Sequence, residues 1–152
     1  MIRAFRIAKA RQAARAFDGE GARFAGGRWN LPGDAVVYAS SSLALAALET
    51  FVHLGDEGRT IRFAYFTVVI PDRVVVERCT RPPRGWRTEP PSEATMRHGS
   101  EWLKSGRAAV LEVPSVLVPG ETNLLLNPAH VDFGKLRITR PRTFSFDPRL
   151  WS

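Results

Sequence analysis

Ala108-Ala-Val-Leu-Glu-Val-Pro-Ser-Val-Leu-Val-Pro-Gly-Glu-Thr-Asn-Leu-Leu-Leu-Asn-Pro128 decides the fold class of this 152-residue chain. Three short apolar runs, Ala108–Val113, Val116–Val118 and Leu124–Leu126, are cut apart by Pro114, Pro119-Gly120 and Asn127-Pro128. Proline and the Pro-Gly pair punctuate strands, and the runs are too short for helices. Strand therefore follows strand with no helix between. Downstream, Leu136–Thr139 and Phe144–Phe146 read as the last two strands. Upstream, Ser92–Ser105 reads as a helix stopped by Gly106, and Thr80–Ser92, rich in proline and arginine, as a surface excursion pinned by Trp86. Val74–Val76 and the β-branched and aromatic run Ile61–Ile70 read as strands. Leu43–Leu54 reads as a helix, with Ser40-Ser41-Ser42 as cap candidates and Gly55 as its stop. Ala35–Ala39 and Ala4–Ile7 complete the strands, Lys9–Phe17 reads as a surface helix, and glycine-rich Asp18–Gly33 as an ordered loop. Strands outnumber helices without alternating with them, which predicts an α+β fold of mixed, mostly antiparallel sheet with flanking helices.

Composition narrows the class of protein. Hydrophobic residues make up 44% and charged residues 24%, ordinary for a globular chain, and 152 residues fit a single domain spanning 1–152. One cysteine, Cys79, cannot form an internal disulfide. His53, His98 and His130 are scattered, so no metal-ligand spacing appears, and His98 and His130 read as surface residues. The net charge of +7 is almost all arginine, since lysine occurs only at Lys9, Lys104 and Lys135. Arginine's planar fork suits phosphate or carboxylate, so the excess suits an anionic partner as well as it suits an arginine-rich codon usage. Met1–Phe17 is basic and free of acids but lacks a continuous apolar core for a secretory signal. No run approaches the ~20 apolar residues needed to span a membrane, so a cytoplasmic location is expected.

Three places can carry chemistry. In Gly26-Gly27-Arg28-Trp29-Asn30 the paired glycines allow a close backbone approach, and successive N–H groups can form an anion nest that Arg28 completes. The same turn also fits a glycine-rich surface loop. It is neither a dinucleotide fingerprint nor a phosphate loop with its lysine. Glu49 stands in an apolar helix, where an unpaired buried carboxylate is costly, so it needs an arginine partner or a cleft to face. Ser42, Ala46, Glu49 and His53 share one helical stripe, and that stripe equally fits a face turned to water. Ser115, after Pro114 at a strand break, suits either a ligand contact or a turn. Tyr38, closing its strand, suits a core position with a satisfied hydroxyl.

Taken in order, these pieces resemble the RES-domain family, named for its arginine, glutamate and serine. The likeness runs from about Arg6 to Leu150: Phe5-Arg6, Gly26–Gly33, Tyr38, Glu49, Val113-Pro114-Ser115, Asn123–His130 and Phe146–Leu150. The resemblance implies a fold similar to the ADP-ribosyltransferase core of bacterial toxins. It implies that NAD is the substrate rather than a resident cofactor, with the nicotinamide–ribose bond cleaved by phosphorolysis or hydrolysis. It further implies the toxin of a toxin–antitoxin pair, held by an Xre-like helix-turn-helix antitoxin, with room for a homodimer within that complex. Within this likeness Glu49, Arg28 and Tyr38 are the expected catalytic residues, and Arg6, Gly27, Trp29, Ser115 and Asn123 the expected substrate contacts. Glu49 would stabilise cationic charge on the ribose, Arg28 and Arg6 would grip phosphates, Tyr38 or Trp29 would stack on nicotinamide, and Ser115 would bond a ribose or phosphate oxygen. Many relatives carry tyrosine where this chain has Phe5, so no hydroxyl is expected there. Two rivals remain at this point: transfer of ADP-ribose to a protein, and a basic nucleic-acid-binding module. The chain lacks a recognition helix or aromatic RNA motif that would support the latter.

Overall fold

The computed structural model describes residues 1–152. Its frame is one eight-stranded sheet. The strands are β1 (Ile2–Lys9), β2 (Val37–Ser40), β3 (Phe63–Ile70), β4 (Val76–Arg78), β5 (Val110–Pro114), β6 (Thr122–Leu126), β7 (Arg137–Ile138) and β8 (Arg142–Phe144). Their order is β4-β5-β6-β2-β1-β3-β7, with β8 also pairing β3. Every pairing is antiparallel except β4 with β5. Three α-helices accompany the sheet: α1 (Glu20–Ala25), α2 (Leu43–Phe51) and α3 (Glu93–Ser105). The α+β expectation holds.

Side chains alternate across the sheet, and each face has its own core. Ala4, Val37, Ala39, Val68, Ile70, Val110, Leu124 and Leu126 fill one face. The other carries Leu111, Val113 and Leu125 with Trp29 and Trp102 beyond them, and, further along, Ile7 and Phe63 under Ala46 of α2. The second face holds the polar residues of interest.

Local chemistry explains where the elements begin and end. Ser42 caps α2 by accepting from the Leu45 N–H at 3.0 Å, and Ser92 caps α3 through Thr95. Gly106, left-handed at φ 66°, stops α3 as expected. Several expectations are corrected. Asp18–Gly33 is not all loop, because Asp18 accepts the Glu20 N–H and the Arg23–Glu20 pair supports the six-residue helix α1. Val116–Val118 is no strand: the Ser115 hydroxyl accepts from both Leu117 and Val118 N–H groups and folds the segment into a turn. The surface helix at Lys9–Phe17 is a 3-10 segment, Ala10–Arg15. The final strand falls at Arg142–Phe144, since Phe146 is drawn into an aromatic cluster with Phe51, Phe63 and Trp151.

Candidate active site

Glu49 leaves α2 toward β6. Asn123 and Ser40 are direct cross-strand partners on β6 and β2, so their side chains rise from the same face. The Asn123 amide donates to Glu49 Oε2 at 2.5 Å, and the Ser115 hydroxyl donates to the same oxygen at 3.1 Å. Ser40, buried, donates its hydroxyl to Asn123 Oδ1 at 2.7 Å. Glu49 Oε1 has no hydrogen bond within the protein, and it is not among the sealed polar atoms, so it remains reachable from outside. The stripe Ser42, Ala46, Glu49, His53 does not simply meet water: Ala46 is buried against Ile7 and Phe63, and Glu49 is half-buried with two donors. Three expected site residues, Glu49, Ser115 and Asn123, are thus brought together. Ser40 was missed, because nothing in a run of three serines separates a buried relay from a helix cap.

The glycine–arginine turn is differently occupied. Gly26, at φ 73°, closes α1 with its N–H on the Ala22 carbonyl. A Cβ on Gly27 would stand 2.7 Å from the Tyr38 hydroxyl, so only glycine lets this turn pass. The Tyr38 hydroxyl donates to Asn30 Oδ1 at 2.6 Å and accepts from the Trp29 N–H at 3.1 Å. Burial pushes the Tyr38 phenol well above its ordinary range, so it stays a protonated donor. Asn30 is fully buried, and its amide nitrogen serves the carbonyls of Ala22, Leu31 and Asp34. Trp29 is only 3% exposed, lies against Trp86 and His98, and presses its carbonyl onto Gly99 of α3. It is packed inside and cannot stack on a ligand in this arrangement. Trp86 pins the Pro/Arg-rich excursion as expected. His98, half-buried on Trp29, and His130, half-buried and bonded to the Gly106 carbonyl, are not the free surface residues expected.

Neither expected anion-gripping arginine faces Glu49. Arg28 donates to the Trp86 and Thr88 carbonyls at 3.0 and 2.7 Å, and its other terminal nitrogen pairs with the exposed Glu89 carboxylate at 2.6 Å. Arg6 stands on β1 in line with Ala4, on the face away from Glu49. It donates to the carbonyls of Ala16 (2.6 Å) and Tyr38 (2.9 Å) and lies over the Phe17 ring. Burial lowers its affinity for the proton, opposed by nearby Asp18. Arg6 ties β1 to β2. Two concavities, of about 410 and 330 Å³, lie beside Phe24 and between Lys9, Arg11 and Arg62. Neither of these two is lined by Glu49. No group of three or more His, Cys, Asp or Glu side chains is placed to hold a metal, and no helix is long and apolar enough to cross a membrane.

Comparison with known proteins bears on this arrangement. The model of the RES domain family matches residues 3–147. A protein named Prs ADP-ribosylating toxin, from Sphingobium sp. (strain YBL2), is 44% identical over 136 residues, covering 87% of this chain and 84% of its own length. Toxin Res of Yersinia enterocolitica is 43% identical over 148 residues, covering 96% of this chain and 97% of its own. Among solved structures, a chain of the M. tuberculosis MbcT–MbcA toxin–antitoxin complex superposes with a TM-score of 0.76. It covers 99% of this chain and 86% of its own at 18% identity, a likeness of fold.

Proposed function

Because the chain belongs to the RES domain family, we propose that it is a toxin enzyme that consumes NAD by cleaving the nicotinamide–ribose bond, with Glu49 at the reacting centre. The observation that carries this reading is the asymmetry of one carboxylate. Glu49 Oε2 is held by Asn123 and Ser115, while Oε1 is left open. Loss of nicotinamide builds oxocarbenium-like charge on the ribose. A carboxylate already fixed in place stabilises that charge without reorganising, and the gain is felt in the transition state. The open oxygen also suits a ribose hydroxyl. In this reading Asn123 and Ser115 act by holding Glu49, and Arg28 meets the diphosphate by exchanging its exposed partner Glu89. NAD enters as substrate, and the chemistry requires no resident cofactor.

Phosphate or water as acceptor makes the enzyme a phosphorylase or glycohydrolase. A protein side chain as acceptor makes it an ADP-ribosyltransferase, the activity named for the Sphingobium relative. Incubation with adenylate-labelled NAD separates these: free ADP-ribose or its phosphate ester supports the first, a labelled protein band the second. Relatives named as toxins and the toxin–antitoxin complex among the fold neighbours support a toxin held by an antitoxin, for which we propose the Xre-like helix-turn-helix kind and a cytoplasmic location. The net charge of +7 favours an acidic docking face on that partner. The deciding experiment measures NAD in bacteria expressing the chain, with and without the product of the neighbouring gene. Loss of NAD and growth, relieved by that product and absent in Glu49→Gln, is the expected result. Unchanged NAD and normal growth would overturn the reading.

A further inference from the structure

We propose that Ser40 is a positioning residue of the Glu49 site, whose hydroxyl anchors the Asn123 amide oxygen and through it holds a hydrogen-bond donor steady on the carboxylate. This rests on the reading of Glu49 as the reacting carboxylate. Ser40 is 3% exposed, and its hydroxyl donates to Asn123 Oδ1 at 2.7 Å. An asparagine amide has one oxygen and one NH₂, nearly equal in shape, and only its partners decide which way it lies. Ionised Glu49 only accepts, so it takes the Nδ2 end at 2.5 Å, and the Ser40 hydroxyl, able to give or take a proton, serves Oδ1 as donor and fixes the amide plane. Flipped, the amide would set Oδ1 against Glu49 Oε2, two acceptors at hydrogen-bond distance, and only a protonated Glu49 could then bond it.

The placement of Ser40 comes from the sheet. Ser40 and Asn123 are paired across β2 and β6, and Val113 pairs with Asn123 from the other side, so Ser115 follows two residues later. The register therefore puts Ser40, Asn123 and Ser115 on one face, where Glu49 of α2 meets them. Ser115 is fixed independently, because its oxygen accepts from the Leu117 and Val118 N–H groups and its proton goes to Glu49. Of the two donors to Oε2, only the Asn123 amide depends on a further residue for its anchorage. That residue is Ser40. No ion pair reaches Glu49, and the residues hydrogen-bonded to it do not titrate near neutrality. His53, just past the end of α2, is exposed, as is Glu121, whose backbone carbonyl receives the Ser115 N–H.

The test reads the Glu49 carboxyl directly. The side-chain carboxyl carbon of Glu49 is followed by ¹³C NMR against pH in the whole chain, assigned by its loss in Glu49→Gln. In Ser40→Ala the titration moves upward by about half to one pH unit, the size that loss of one ordinary hydrogen bond to the charged form produces. Ser40→Thr, which keeps the hydroxyl, stays with the wild type. The acidic limb of the NAD-consumption profile moves in the same direction in Ser40→Ala. A Ser40→Ala titration identical to wild type would overturn the proposal, and so would an equal shift in Ala and Thr variants, which would mark packing alone. If Ser40→Ala does not fold, Ser40→Cys, a weaker donor of similar size, is judged by the same criteria. The NMR measurement needs no substrate: a protein that consumes no NAD would sink the enzymatic reading and leave the Ser40 relay decided by its own titration.

Discussion

Asn30 and Glu49 are both polar side chains on the same side of the sheet, and their surroundings differ in burial and in hydrogen bonding. Asn30 is fully buried and saturated, its oxygen taken by Tyr38 and its nitrogen shared among three carbonyls. Glu49 is half-buried and half-satisfied, with two donors on one oxygen and none on the other. A saturated buried network specifies structure, and breaking it costs stability. A carboxylate held on one side and open on the other is prepared for a ligand. The longest motif in the chain, Gly26–Asn30, thus joins α1, α3 and the sheet, while the proposed reacting site is gathered from residues far apart in sequence.

This division is broken or sharpened first at Glu49. In Glu49→Gln we expect NAD consumption to fall at least about 10²-fold, the scale of losing a preorganised electrostatic group. Its melting temperature should stay within a few degrees of wild type. A variant that consumes NAD at the wild-type rate would end the comparison on one side. The opposite pattern is expected at Gly99. A Cβ there would lie 1.7 Å from the Trp29 carbonyl oxygen, so backbone must move. Gly99→Ala should cost about 3 kcal/mol or more, lowering the melting temperature by roughly 6–12 °C. An unchanged melt would show that α3 is not seated on the turn.

Tyr38→Phe comes next. It removes the phenolic proton from Asn30 and the acceptor from the Trp29 N–H, leaving both without a partner, for about 1–3 kcal/mol of stability. Turnover per folded molecule should change far less than in Glu49→Gln. Comparable loss of turnover in calorimetrically intact protein would move Tyr38 from the structural region to the reacting one.

Much of this was legible in the sequence. The α+β class followed from strands succeeding strands, and both long helices carry their caps, Ser42 and Ser92, where polar residues precede an apolar period. Glu49 stood out because a carboxylate among alanines and leucines demands a partner. What could not be read was which partner. Ser115, Asn123 and Ser40 meet Glu49 only through the β2–β6–β5 register, and strand pairing is a long-range choice that local propensity does not carry. Gly27-Arg28 pointed to an anion because a turn with free N–H groups and an arginine is chemically suited to one. The fold instead fills the space with Tyr38 and Asn30 and turns Arg28 to the carbonyls of Trp86 and Thr88. The expected strand at Val116–Val118 failed for a similar reason, since one hydroxyl satisfied two backbone donors and closed a turn.

The smallest expected effect lies in the glycine–arginine turn, at Arg28. Its side chain is 19% exposed, whereas that of its partner Glu89 is 72% exposed. An ion pair so open to water contributes at most about 1 kcal/mol, so Glu89→Gln should shift the melting temperature by no more than roughly 2–4 °C. The two carbonyl contacts of Arg28 stay in place and keep the guanidinium anchored. What changes is the availability of the nitrogen that Glu89 occupied. In the proposed function a substrate phosphate displaces that carboxylate to reach Arg28, so its removal should lower the KM for NAD by about 2–5-fold with kcat little altered, the equivalent of a surface pair no longer competing. A KM unchanged in Glu89→Gln would place Arg28 wholly with Asn30 as part of the joint between the turn and the 86–89 segment, and leave Glu49 without an arginine to grip the diphosphate.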